Sequence, residues 1–154
     1  MEQKSISLEY ANSMMFELEK AFYDERGKGA RFRMTTVGRR YYQDHIRPKL
    51  SGEDIEQIVA VVKKDLTVKG IVSDVIYSRE DRLLRVQLSG CIHRAVEEQM
   101  LAHHIEPFTC LPANLIALAI EEKLDRPVEL AEIKVDEQGC HLLMVVFEKR
   151  PVMV

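Results

Sequence analysis

Residues 128–147, VELAEIKVDEQGCHLLMVVF, decide the fold. Apolar and polar side chains alternate up to Asp136. A polar interruption, Glu137-Gln138-Gly139, follows, and then a second apolar run. A period of two is the signature of a half-buried strand. A three-residue connection with glycine at its left-handed position suits a hairpin. Strands are therefore expected at Val128–Val135 and Cys140–Phe147. Upstream, residues 71–88, IVSDVIYSREDRLLRVQL, repeat the pattern, predicting strands Ile71–Tyr77 and Leu83–Leu88 around the charged turn Ser78–Arg82.

Between the hairpins the period changes to that of helices. One is expected over about 92–103, and a second follows Pro107, with Pro112 in its first turn. Leu115, Leu118, Ala119 and Leu124 would face inward from it. Before the first hairpin, Ile55, Ile58, Val59, Val62 and Leu66 form one helical face. That helix is read from Ser51, with Asp54 as a short-armed capping partner and Gly70 as its stop. Further upstream, Leu8, Ala11, Met15, Leu18 and Phe22 form an apolar stripe ended by Gly27 and Gly29. A basic helix over about 33–46 should stop at Arg47-Pro48, because the residue before proline avoids helical angles. The fold class is α+β: N-terminal helices, then ββααββ, with a four-stranded antiparallel sheet covered by helices on one face. Residues 1–50 read as a helical segment packing on a core of residues 51–154, all in one domain.

A chain of 154 residues, 46% hydrophobic and 31% charged, is globular rather than disordered. Its net charge of −3 gives no global field toward nucleic acid. Residues 26–49 are the exception, with eight basic side chains against Asp44 alone, a balance of +7 that leaves −10 for the rest. Arg31, Arg33, Arg39 and Arg40 form the patch, interleaved with Phe32, Tyr41 and Tyr42. A solvated helix face is the plain reading of it, and a grip on phosphate or an acidic partner is the functional one. The polar opening MEQKSISLEY lacks an export signal, no apolar run is long enough to span a bilayer, and three cysteines make an odd count. The expectation is a cytoplasmic protein without disulfides or a membrane partner.

Cys91, Cys110 and Cys140 all fall at element ends, where separate segments converge. Cys110 sits at a helix N-terminus, whose amide dipoles favour a thiolate. Glu132 is in phase with Val128 and Leu130, so it is expected on their face. Three cysteines and a glutamate make a tetrahedral zinc set. The plainer reading of the same residues is three small buried apolar side chains and a strand carboxylate paired with arginine. His93, two residues after Cys91, is a further candidate ligand, whereas His103 and His104 suit the negative end of a helix. There is no phosphate-binding glycine loop, and no local signature supports a Cys–His catalytic pair.

Three segments bear a resemblance to a known family: DIEQIVAVVKKDLTVKG (54–70) running into IVSDVIYSREDRLLRVQLSGC (71–91), EPFTCLPANLIALAIEEKLDRPVEL (106–130), and AEIKVDEQGCHLLMVVF (131–147). Together they resemble the 4-vinyl reductase domain, which is similar in fold to vesicle-tethering subunits and haem nitric-oxide sensors. The resemblance implies a pocket between helices and sheet for a small hydrophobic or aromatic ligand, beside zinc held by cysteines and a glutamate. It maps Cys110, Glu132 and Cys140 onto that ligand set. The sequence departs from the family at Val135, where a cysteine is usual, and in the helix segment ALAI, where glycines are usual, so Cys91 or His93 would complete the set. A sensor or carrier of small molecules is the leading expectation, with structural zinc and a homodimer formed through the first helix. A small enzyme using a metal or Cys110 as nucleophile, and an interaction module using the 26–49 segment, are the rival classes. Nucleic acid is not expected as a partner.

Overall fold

The computed structural model describes residues 4–30 and 36–149. Five helical segments and four strands follow in the order ααα-ββ-αα-ββ, as the sequence periods predict. Helix α1 spans Leu8–Arg26; its N-cap Ser7 accepts a hydrogen bond from the Tyr10 amide at 3.0 Å. The second segment, α2, covers 39–49 and changes type along its length: an α turn at Arg39–Tyr41, a π turn at Tyr42–Ile46 and a 3₁₀ turn at Arg47–Lys49. The chain therefore runs on through Pro48 where a stop is expected at Arg47. In the first turn of a new short helix the missing proline N–H has no partner to lose. Tyr42 and Ile46 are its buried side chains, and the part of the expected basic helix before residue 36 lies outside the described residues.

Helix α3 spans Ile55–Val68, four residues later than the expected start at Ser51. Asp54 is itself the N-cap: its carboxylate accepts from the Gln57 amide at 2.8 Å, and Gln57 Oε1 accepts from the Glu53 amide at 3.0 Å. The capping box is thus Asp54 with Gln57. At the other end, Gly70 takes φ 72° and the Ile71 amide donates to the Leu66 carbonyl at 2.9 Å. Ile71 and Val72 close the helix instead of opening a strand. Pairing begins at Ser73, whose amide donates to the Ser89 carbonyl at 2.7 Å.

The strands are β1 (Asp74–Glu80), β2 (Leu83–Ser89), β3 (Val128–Asp136) and β4 (Gly139–Val146). They form one antiparallel sheet in the order β1-β2-β4-β3, so the two hairpins lie side by side and join through β2 and β4. Both turns are tighter than expected. The first is Asp81-Arg82, with Asp81 at φ 54°, and the second is Glu137-Gln138, with Asp136 paired to Gly139. Gly139 therefore lies inside β4. A Cβ there would fall on the Leu88 carbonyl oxygen of β2, so only glycine allows β4 to close on that strand.

Helices α3 and α5 (Leu111–Leu124) pack on one face of the sheet. Ile58, Val62, Leu66, Ile116 and Ile120 meet Leu84, Leu88 and Met144 in a fully buried core. A second, smaller cluster lies apart from it. Helix α4 (Arg94–Ala102) contributes Val96 and Met100, which pack with Ile105 against Phe16 of α1. Here the expected apolar stripe of α1 fails. The face turned inward carries Asn12, Phe16 and Glu19, while Leu8 and Leu18 are exposed. Among the described residues no helix is long and apolar enough to cross a membrane.

Candidate functional site

Three segments bring the cysteines together. After β2, Gly90 (φ 62°) turns the chain, and the Ile92 amide donates to the Ile71 carbonyl at 3.0 Å, pinning the turn. Cys91 lies in that turn, half-buried, and its sulfur accepts from the His93 amide at 3.4 Å. Cys110 is the N-cap residue of α5, with extended backbone (φ −142°) and a buried side chain. Asn114 fixes this approach, donating to Thr109 Oγ1 at 3.2 Å and to the Val37 carbonyl at 3.1 Å. Cys140 lies on the inner face of β4, opposite Leu88 and Val135.

The three thiols stand within electrostatic reach of one another and of Glu97, which projects from the first turn of α4. Burial is the largest influence on each. It pushes Cys91 up to about 11 and Cys140 up to about 12, with the Glu97 charge adding to both. Cys110 is raised well above its ordinary value by burial and then by Glu97, against the opposing pull of the Ala113 amide. The expected helix-end thiolate is therefore a thiol: the amide dipole is present, but desolvation outweighs it.

Glu97 and a partner on α1 were not foreseen from the sequence. Glu97 is 6% exposed, its Oε2 has no hydrogen-bond partner, and burial raises its carboxyl to about 7. Glu19, 8% exposed, is raised to about 8 by burial and then by the charge of Glu97. Asn12 completes the polar lining of α1: its Nδ2 donates to the Ile92 carbonyl at 2.8 Å, while its Oδ1 is unpartnered. The Nδ1 of His93 is also buried without a partner, and burial lowers the pKa of that ring. Two helices thus bury a group of polar atoms beside the thiols, with part of its bonding capacity unused. The sequence signal was the spacing Asn12, Phe16, Glu19, Tyr23, a helical face that mixes polar and aromatic residues.

Glu132 lies elsewhere. A β-bulge between Leu130 and Glu132 makes Ala131 an extra residue in β3, so Leu130 opposes Met144 whereas Glu132 opposes Leu143. The phase expected from Val128 and Leu130 is broken there. Glu132 lies on the sheet's outer face, half-exposed, and pairs with Lys134 at 3.0 Å. Among the described residues, no three of His, Cys, Asp and Glu stand in a metal-holding arrangement.

The basic patch is partly neutralised within the fold. Arg40 pairs with Asp44 at 2.8 Å, Arg47 with Glu122 at 2.6 Å, and Lys49 with buried Asp65 at 3.1 Å. Arg39 is exposed, and Arg31 and Arg33 lie outside the described residues. The largest concave surface described is a cleft of ≈ 760 Å³ between the edge strand β3 and the α4–α5 connection. Tyr23 and Phe108 stack on one side of it with ring centroids 5.9 Å apart, and Leu101, Ile133 and Val135 add apolar wall. Phe108 is two residues from Cys110, and Val135 pairs directly with Cys140, so one end of the cleft adjoins the thiol cluster. No protein-family model, no curated protein and no solved structure matches the chain.

Proposed function

We propose that this chain is a sensor or carrier domain for a small hydrophobic or aromatic molecule, seated in the cleft between β3 and the Tyr23–Phe108 pair. The observation that carries this reading is the cleft itself: ≈ 760 Å³, with stacked aromatics on one wall and an apolar strand edge on the other. That volume falls within the few hundred to one thousand Å³ usual for small-molecule sites. The expectation placed the pocket under the helices, but that space is filled by core side chains, so the proposed seat is at the sheet edge. A saturable aromatic probe tests it. Anilinonaphthalene sulfonate should bind with enhanced fluorescence, and Phe108→Ala and Tyr23→Ala should each weaken binding about tenfold, the loss of roughly 1.4 kcal/mol of aromatic contact. Unsaturable probe binding, unchanged by both substitutions, would remove the cleft from the proposal.

Structural zinc belongs to the same proposal, with a changed ligand set. Three sulfurs and an unpartnered carboxylate oxygen suit a borderline-soft cation, and Cys91, Cys110, Cys140 and Glu97 would hold it after the thiols lose their protons and close in. Such a closed set would tie the end of β2, α4, α5 and β4 together without chemistry at the metal. Native mass spectrometry of the freshly purified chain, with Glu97→Gln and Glu132→Gln beside it, separates the two glutamates. Zinc lost in E97Q and kept in E132Q supports the set, while a metal-free wild type grown with zinc eliminates it. The nucleophile rival is disfavoured, since Cys110 is wholly buried and held protonated.

A further inference from the structure

We infer that the outward face of α1 is the contact surface of a homodimer, its occupant a second copy of this chain. Helix α1 inverts the usual amphipathic arrangement. Its buried positions include Asn12 and Glu19, while Ile6, Tyr10, Met14 and Leu18 are exposed large apolar side chains. These four fall at steps of four residues, and half-buried Phe22 continues the series. Residues four apart line up as one ridge on a helix surface, the element that packs into the matching groove of another helix. Tyr10 is 59% exposed and Leu18 73%, values that a monomer has no reason to combine on one ridge.

Self-pairing follows from the symmetry of the series. A two-fold axis at Met14 sets Tyr10 of each copy against Leu18 of the other, and Ile6 against Phe22, so every apolar residue meets an apolar residue. An isologous contact requires this self-complementarity. The exposed area of these side chains comes to roughly 600 Å² per copy, or about 1,200 Å² for the pair, the lower limit for a specific interface. The flanks argue against other occupants. Helix α1 carries Glu9, Glu17, Glu19, Asp24 and Glu25 against Lys20 and Arg26, and Lys20 is already paired with Asp24 at 2.8 Å. An acidic helix is repelled by anionic lipid and by nucleic acid, which attract basic amphipathic helices.

Sedimentation velocity on the full chain at high micromolar concentration tests the inference. The wild type should be a dimer. Leu18→Glu and Met14→Glu should each weaken self-association at least tenfold, with far-UV dichroism and thermal midpoint of the dilute protein unchanged, because both side chains point away from the monomer's core. Tyr10→Glu at the other end of the ridge gives an independent reading if either variant folds poorly. A wild type that stays monomeric overturns the inference, as does a dimer that all three charges leave intact. Flotation of a monomeric wild type with phosphatidylserine-containing vesicles would also overturn it, assigning the face to a membrane.

Discussion

The core under the sheet and the contact between α1 and α4 are built from different material. Under the sheet, α3 and α5 present aliphatic side chains to aliphatic strand faces, and Ile58, Val62, Leu84, Ile120 and Met144 lose all contact with water. Between α1 and α4 four apolar residues, Phe16, Val96, Met100 and Ile105, share their space with Asn12, Glu19 and Glu97. Burial of hydrocarbon is non-directional and favourable at every position. Burial of a carboxylate is unfavourable unless something bonds to it. The first region holds the fold; the second holds a helix in place at a cost. Local stability should differ accordingly, since opening free energies follow buried apolar contact.

The largest effects belong in the first region. Leu84→Ala removes a fully buried side chain from the centre of the sheet, where backbone on both sides prevents collapse of the cavity. A loss of about 3–4 kcal/mol is expected in urea unfolding, with all secondary structure lost in one transition. A loss below about 1 kcal/mol would show the sheet core to be far more adaptable than its burial implies.

Phe16→Ala tests the other side of the comparison. The ring packs on Val96 and Met100, and lies 5.0 Å from the His103 ring. Truncation should cost about 2 kcal/mol and act locally: amides of α1 exchange faster while those of β2 and β4 keep their protection. If instead all amides accelerate together, the two regions form one cooperative unit and the distinction drawn above is wrong.

The same division explains what was legible in the sequence. Sheet and helices of the main core followed their periods because apolar burial repeats with the geometry of the element, and Ile55 to Leu66 or Cys140 to Val146 carry that repeat without interruption. The candidate site did not follow. Glu132 was placed by a period that the bulge at Ala131 breaks, and no residue there announces a bulge. Glu97 and Glu19 look like surface residues of amphipathic helices, since nothing local says that a polar face will be turned inward. Cys110 was placed correctly at a helix start, yet its chemistry depends on burial, a tertiary property. Positions set by local backbone preference were readable; those set by which face meets which neighbour were not.

The smallest effect, and the most diagnostic of the second region, is the response of α1 to pH. Glu19 faces Glu97 of α4, and both carboxyls are raised, to about 8 and about 7, with burial the largest cause in each. Asn12 and His93 add buried atoms without partners, and neither supplies a positive charge. A carboxyl whose folded pKa lies above its unfolded value, near about 4.3, favours the folded state while protonated. Its contribution is fully present below about pH 4 and declines as pH rises toward 8. Glu19→Gln keeps the shape and the burial but removes the ionisation. The variant should match the wild type at pH 4 and exceed it by about 1–2 kcal/mol at pH 8, less than the full shift would give at about 1.4 kcal/mol per unit. The difference is capped because α1 can undock and rehydrate the charge, so the penalty cannot exceed the free energy of undocking. Urea midpoints at the two pH values read this directly, and amide exchange of α1 should accelerate with pH beyond its intrinsic rate in the wild type but not in E19Q. Parallel pH profiles for the two proteins would mean that Glu19 reaches water in the folded state, and that the contact between α1 and α4 is no more costly than the core under the sheet.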